Sequence, residues 1–128
     1  MKKLALAAVL AVAGLPAFAQ DPALGLWKTQ IDDGAYAYVD MYQCGQKVCG
    51  RITRTFNDTG EYQSPNIGKA LVINMAPQGD GTYKGNVWRP SNDKIYIGKM
   101  EVSGNRIDLK GCVAGGLLCA NQTWSRIQ

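Results

Sequence analysis

Four cysteines arranged as two short brackets constrain this chain more than any other feature. Cys44 and Cys49 enclose Gly45-Gln46-Lys47-Val48, and Cys112 and Cys119 enclose Val113-Ala114-Gly115-Gly116-Leu117-Leu118. Each bracket sits where two strand-like runs meet at a turn. A two-residue loop at Gln46-Lys47 puts Cys44 opposite Cys49, and one at Gly115-Gly116 puts Cys112 opposite Cys119. Directly opposed residues of an antiparallel pair have Cβ atoms about 4.5–5.5 Å apart, within easy adjustment of a disulfide. Four cysteines permit three connectivities, and the turns favour the local pairing Cys44–Cys49 and Cys112–Cys119. A zinc site is the competing use of four cysteines. The spacings C-x4-C and C-x6-C fit it poorly, and the chain has no histidine. Paired cysteines imply an oxidising compartment and leave no thiol for catalysis or metal binding.

The first nineteen residues point to the same compartment. Lys2 and Lys3 form a basic start, Leu4 to Leu15 is apolar, and Ala17-Phe18-Ala19 is an A-x-A cleavage site. Residues 1–19 are expected to be a removed signal peptide of bacterial style, and 20–128 a single domain, periplasmic or secreted. No segment reaches the roughly 20 apolar residues of a membrane span. Removing nineteen residues from 128 leaves 109, with twelve basic and ten acidic residues and a formal charge of +2. The basic residues are scattered, so no nucleic-acid footprint is present.

The rest of the chain alternates with period two and is broken at short intervals by Gly, Asn, Asp or Pro. The predicted strands are 25–31, 35–44, 48–55, 69–75, 82–88, 94–102, 106–112 and 117–127, with 57–68 the longest loop. Short connections between successive strands indicate an antiparallel meander. Eight such strands best remove their exposed edges by closing, so the expected fold is all-β, an eight-stranded antiparallel up-and-down β-barrel with two hairpin disulfides. A two-sheet sandwich is the alternative.

Groups for chemistry are few. Without histidine the commonest general base is missing, and Asp40, Glu101 and Asp108, the acids within strands, do not converge. Asp32-Asp33 reads as turn chemistry. Gly79-Asp80-Gly81 and Gly115-Gly116 join strands to strands, so neither is a phosphate loop. The expectation is a protein that is not an enzyme and uses no cofactor and no metal.

The chain ends carry a stronger signal. Gly25-Leu26-Trp27 opens the first strand and Thr123-Trp124-Ser125-Arg126 closes the last. In a closed barrel these strands are neighbours, so Arg126 can lie over the Trp27 indole and plug one end, a cation–π contact of about 0.5–2 kcal/mol. The G-x-W segment with an Arg on the last strand resembles the lipocalin and calycin superfamily. A longer match resembles the DUF2147 family of bacterial exported proteins, of unknown function. It runs through GLWKT, YQCGQKVCGRI, GNVWRPSNDKIYIGKMEV and KGCVAGGLLCANQTWSRI. That resemblance implies a lipocalin-like barrel and brings no catalytic residue or ligand. Only Ser64-Pro65-Asn66 stands where the family resemblance leads us to expect a longer Asn-Pro-bearing loop.

An eight-stranded barrel is either filled by side chains or holds one small ligand. Alternation gives an expected inward set of Trp27, Ile31, Val39, Met41, Ile52, Leu71, Ile73, Met75, Val87, Met100, Ile107 and Leu109, joined by Tyr83 and Tyr96. Of these, Val39, Met41, Ile73, Met75, Tyr83, Val87, Tyr96 and Met100 are the candidate ligand-binding residues. The first functional expectation is a non-catalytic barrel for a small apolar or amphipathic molecule. The second is a protein-interaction module of the cell envelope, using the row Tyr36, Tyr38 and Tyr42 on the other face of strand two; aromatic rows are enriched at interfaces. Which face of that strand points inward stays open, because both carry large side chains. The partners expected are a small hydrophobic ligand or an envelope protein, with no nucleic acid and no membrane insertion.

Overall fold

A computed structural model describes residues 21–128; the signal-peptide expectation lies outside them. The strands are β1 (Gly25–Lys28), β2 (Tyr36–Cys44), β3 (Lys47–Asn57), β4 (Gly60–Tyr62), β5 (Ala70–Pro77), β6 (Thr82–Arg89), β7 (Lys94–Ser103), β8 (Arg106–Val113) and β9 (Leu118–Arg126). Every pairing is antiparallel, and the sheet closes where β1 meets β9, with Trp27 opposite Arg126. Eight strands form the barrel. The ninth, β4, folds back on β3 alone, pairing Thr55–Asn57 with Gly60–Tyr62. The stretch expected to be one long loop thus begins as a hairpin, turned at Asp58-Thr59, where Asn57 accepts from the Thr59 amide at 2.9 Å.

Alternation sets the inside. On β2, Ala37, Val39 and Met41 are buried while Tyr36, Tyr38 and Tyr42 lie on the outer side. The core runs from Trp27 through Val39, Met41, Ile52, Val72, Met75 and Met100 to Ile107 and Trp124. Two interior glycines make room for methionine side chains. A Cβ on Gly50 would lie 2.6 Å from the Met41 Sδ, and one on Gly98 would lie 2.6 Å from the Met75 Cε. Met41 fills the space left by Gly50 on the adjacent strand, and Met75 on β5 reaches past β6 to the space left by Gly98 on β7.

Strand β5 departs from simple alternation twice. Gly50 pairs with Val72 but Arg51 pairs with Ala70, so Leu71 is an extra residue and both Leu71 and Val72 are buried. Ile73 pairs with Asn86 while Ala76 pairs with Lys84, so Asn74, with φ 49°, lies in a second irregularity. Such bulges shift the in–out phase by one residue. Ile73, expected inside, therefore falls on the outer side, and Met75 returns to the core. Gly85 accommodates the bulge, since a Cβ there would lie 2.5 Å from the Asn74 carbonyl oxygen.

Both disulfides are local, Cys44–Cys49 and Cys112–Cys119. Cys112 is directly opposite Cys119, with a Cα–Cα distance of 4.1 Å. At the first hairpin the turn is Gly45-Gln46, one residue earlier than expected, because Gly45 takes φ 67°. Cys44 then pairs with Lys47 and Cys49 with Tyr42, so this bridge runs diagonally over 5.8 Å between Cα atoms. The two staples sit at opposite ends of the barrel. No helix among the described residues is long and apolar enough to cross a membrane.

Candidate functional site

One end of the barrel is shut. The Arg126 guanidinium carbon stands 4.3 Å from the Trp27 ring centroid. The same group donates to the carbonyls of Leu24 at 2.9 Å, Pro22 at 2.6 Å and Gly104 at 3.3 Å. Trp27 is fully buried, and its indole N–H donates to the Ala23 carbonyl at 2.9 Å. Gly25, at φ 129°, must lack a side chain, because a Cβ would lie 2.4 Å from the Gln128 carbonyl and 2.8 Å from Arg126. The Tyr83 hydroxyl donates to the Asp21 carboxylate at this end. Burial first, and that carboxylate second, push the Tyr83 phenol well above its ordinary value.

The other end is open onto a cavity of about 540 Å³, within the usual range for small-molecule sites. Its floor is apolar, made by Ile52, Leu71, Val87, Leu109 and Trp124. Its upper wall is mostly neutral and polar, with Thr29, Ser64, Asn66, Tyr96, Asn121 and Gln122. The Trp124 indole N–H donates to Gln122 Oε1 at 2.9 Å, so the Gln122 amide nitrogen is left to donate elsewhere. Asn92 donates to the Tyr96 hydroxyl at 2.7 Å, which frees that hydroxyl's own proton for another acceptor.

A charged strap crosses the mouth. The β1–β2 loop ends in a two-residue turn, Asp33 at φ 57° and Gly34 at φ 79°, held by the Asp32–Ala35 bridge. From it Asp32 reaches the start of the β6–β7 loop. Arg89 Nε donates to one Asp32 oxygen at 2.9 Å and Arg89 Nη2 to the other at 2.8 Å. These loops lie four strands apart in a ring of eight, so the pair spans the opening. Hydrogen bonding from Arg89 lowers the Asp32 carboxyl below its ordinary value against a smaller opposing effect of burial, and Asp32 raises Arg89 in turn. Ile31, expected in the interior, sits in this loop at 64% exposure, because β1 ends at Lys28.

Of the eight candidate ligand residues, Val87 and Tyr96 line the cavity. Val39, Met41, Met75 and Met100 pack the filled half below it, Tyr83 turns to the shut end, and Ile73 is outside. Sequence reasoning missed Trp124, Gln122, Asn66, Asp32 and Arg89 as cavity residues. Asp32, Asn66 and Arg89 share a position at the loop end remote from Gly25, Ser103 and Arg106, whereas Gln122 and Trp124 reach the cavity from within β9, opposite Leu109 and Ile107. The tyrosine row is engaged by its own sheet: Tyr36 stacks on Phe56 at 4.8 Å, Arg51 stands 4.7 Å from the Tyr42 ring, and Arg54 stands 5.4 Å from the Tyr38 ring. These are cross-strand contacts that stabilise the sheet.

Comparison with known proteins fits this geometry. A family model described as "Uncharacterized protein conserved in bacteria (DUF2147)" matches residues 25–126. A solved structure of protein HP1028 from the human pathogen Helicobacter pylori, described as belonging to the lipocalin family, superposes with a TM-score of 0.65. It shares 16% sequence identity over 82% of each chain, so the likeness is one of fold. No curated protein matches the chain.

Proposed function

This chain belongs to the DUF2147 family of bacterial proteins, and from that membership and its one-ended lipocalin-like barrel we propose that it binds a small apolar or amphipathic molecule without transforming it. The observation that carries this reading is the cavity of about 540 Å³ with an apolar floor, closed below by the Trp27–Arg126 plug. A barrel selected only for stability would fill that volume, since interiors otherwise pack to crystal density. A non-catalytic role is supported by the sequence, which has no histidine and whose cysteines are all disulfide-bonded among the described residues. The same two disulfides, with the leader-like first nineteen residues, support an exported, periplasmic or secreted location.

Native mass spectrometry of gently purified protein, run beside the denatured sample, tests the proposal. The expected result is a small added mass in the native spectrum alone, or saturable uptake of a fluorescent apolar probe. A bare native mass together with no probe uptake refutes it.

A further inference from the structure

The cavity's charged groups indicate what its ligand carries. Among the described residues lining it, Arg89 is the one cation, and the acids are Asp32 and its neighbour Asp33. Below them the walls are neutral and the floor is apolar. A guanidinium presents its N–H groups as a planar fork that matches the two oxygens of a carboxylate. Arg89 is engaged in that manner, at 2.9 and 2.8 Å, by a carboxylate that the loop opposite lays over the mouth. Resting on the binding reading above, we propose that Arg89 is the head-group site for a ligand with a carboxylate on an apolar body. Asp32 occupies that place until the ligand's carboxylate exchanges with it.

The exchange is chemically even. One carboxylate leaves the fork as another arrives, so the number of charge-assisted hydrogen bonds does not change, and the displaced Asp32 moves into water. Three features make it accessible. The pair is partly solvated, with side chains 45% and 26% exposed, and ion pairs of that exposure are weak. Asp32 sits at a turn tip, and the loop is tied to the barrel below it, where Gln30 accepts from the Thr123 amide at 2.8 Å. The turn can therefore tilt while its base stays fixed. Finally, the pair lies across the opening, so an amphiphile whose chain reaches the floor brings its head to Arg89. A neutral head has no such exchange to make and must enter beside an intact strap.

Dodecanoate and 1-dodecanol share a chain and differ in the head, so they separate the two cases. Each is titrated into the disulfide-intact protein by calorimetry, for wild type, Asp32→Asn and Arg89→Gln, with thermal melts to confirm folding. Removing the internal competitor in Asp32→Asn should tighten dodecanoate about three- to fivefold, the scale of an exposed ion pair. Arg89→Gln should weaken dodecanoate by a similar factor, and dodecanol should change less than about twofold in either variant. Arg89→Lys, which keeps the charge but not the fork, should retain part of the preference, and it provides a second test if Arg89→Gln is unstable. Equal responses of the acid and the alcohol to both substitutions overturn this proposal and leave the binding reading standing. Absence of binding by either ligand to any variant overturns both.

Discussion

Arg126→Ala tests whether the shut end is a structural plug. The side chain makes one cation–π contact and three hydrogen bonds to carbonyls of Pro22, Leu24 and Gly104. The contact with fully buried Trp27 contributes about 0.5–2 kcal/mol. The two bonds shorter than 3 Å contribute about 0.5–1.5 kcal/mol each, while the 3.3 Å bond adds little. Water can reach part of this site and rehydrate the carbonyls left behind, so the expected loss is about 2–4 kcal/mol rather than the full sum. For a domain near this size that lowers Tm by about 8–16 °C. Arg126→Lys keeps a charge over the indole but cannot serve carbonyls on two sides, and should lose about half as much. Arg106→Ala is the control, since Arg106 makes a solvent-exposed pair with Asp108. The assay is thermal unfolding followed by far-ultraviolet circular dichroism. A loss below about 0.5 kcal/mol for Arg126→Ala, the level of an ordinary surface change, would refute the plug.

Gly85→Ala should cost about 1–3 kcal/mol, because its Cβ would meet the Asn74 and Ile73 carbonyls at 2.5 and 2.7 Å. Gly111→Ala, whose Cβ would meet Tyr96 at an ordinary 3.5 Å, should leave Tm nearly unchanged; equal losses would discount the bulge. Replacing either cysteine pair by serine should cost about 2 kcal/mol in denaturant unfolding. Only the Cys112–Cys119 pair, at the open end, should also weaken uptake of an apolar probe, and equal weakening by both pairs would contradict the assignment of the mouth. The stabilisation by the Asp32–Arg89 strap, read as the Tm difference between wild type and Asp32→Asn, has a defined pH sense. Asp32 is depressed in the folded state, so the difference should be full above the ordinary aspartate value of about 3.9 and vanish as pH falls through the lower folded value. A difference that grows on acidification would reverse the sign and sink the assignment.

The sequence disclosed what depends on alternation and on the chain's two ends, and little of what depends on height within the barrel. Period two separated Val39 and Met41 from the tyrosines, and the hairpin spacing led to both disulfides and to closure. Trp27 and Arg126 were legible as partners because first and last strands must meet in a ring. Ile73 was misplaced because two bulges in one strand shift its phase twice, and no residue type announces them. Ile31 was misplaced because apolar character alone cannot tell the last residue of a strand from the first of a loop. The cavity residues were missed for another reason. Alternation says which side chains point inward but not how far each lies from the plug, and that distance decides whether Met75 packs the floor's underside or Val87 lines open space.

The seam that closes the barrel lies between the two extremes of the chain. Trp27 pairs with Arg126 and Lys28 with Ser125, while Leu26 exchanges backbone hydrogen bonds with Ile127 and Gln128. Every other barrel neighbour follows its partner after a short connection, except that β3 reaches β5 across residues 58–69 and the β4 hairpin. The hairpins can therefore form as they are synthesised, but the ring cannot shut until the last strand exists. Closing it carries the largest loop-closure entropy in the molecule, so closure is expected to be the slow, final step of folding. Until then β1 lacks one of its neighbours and Trp27 its cation, and a polypeptide halted before Ser125 remains an open, unplugged sheet with two bare edges.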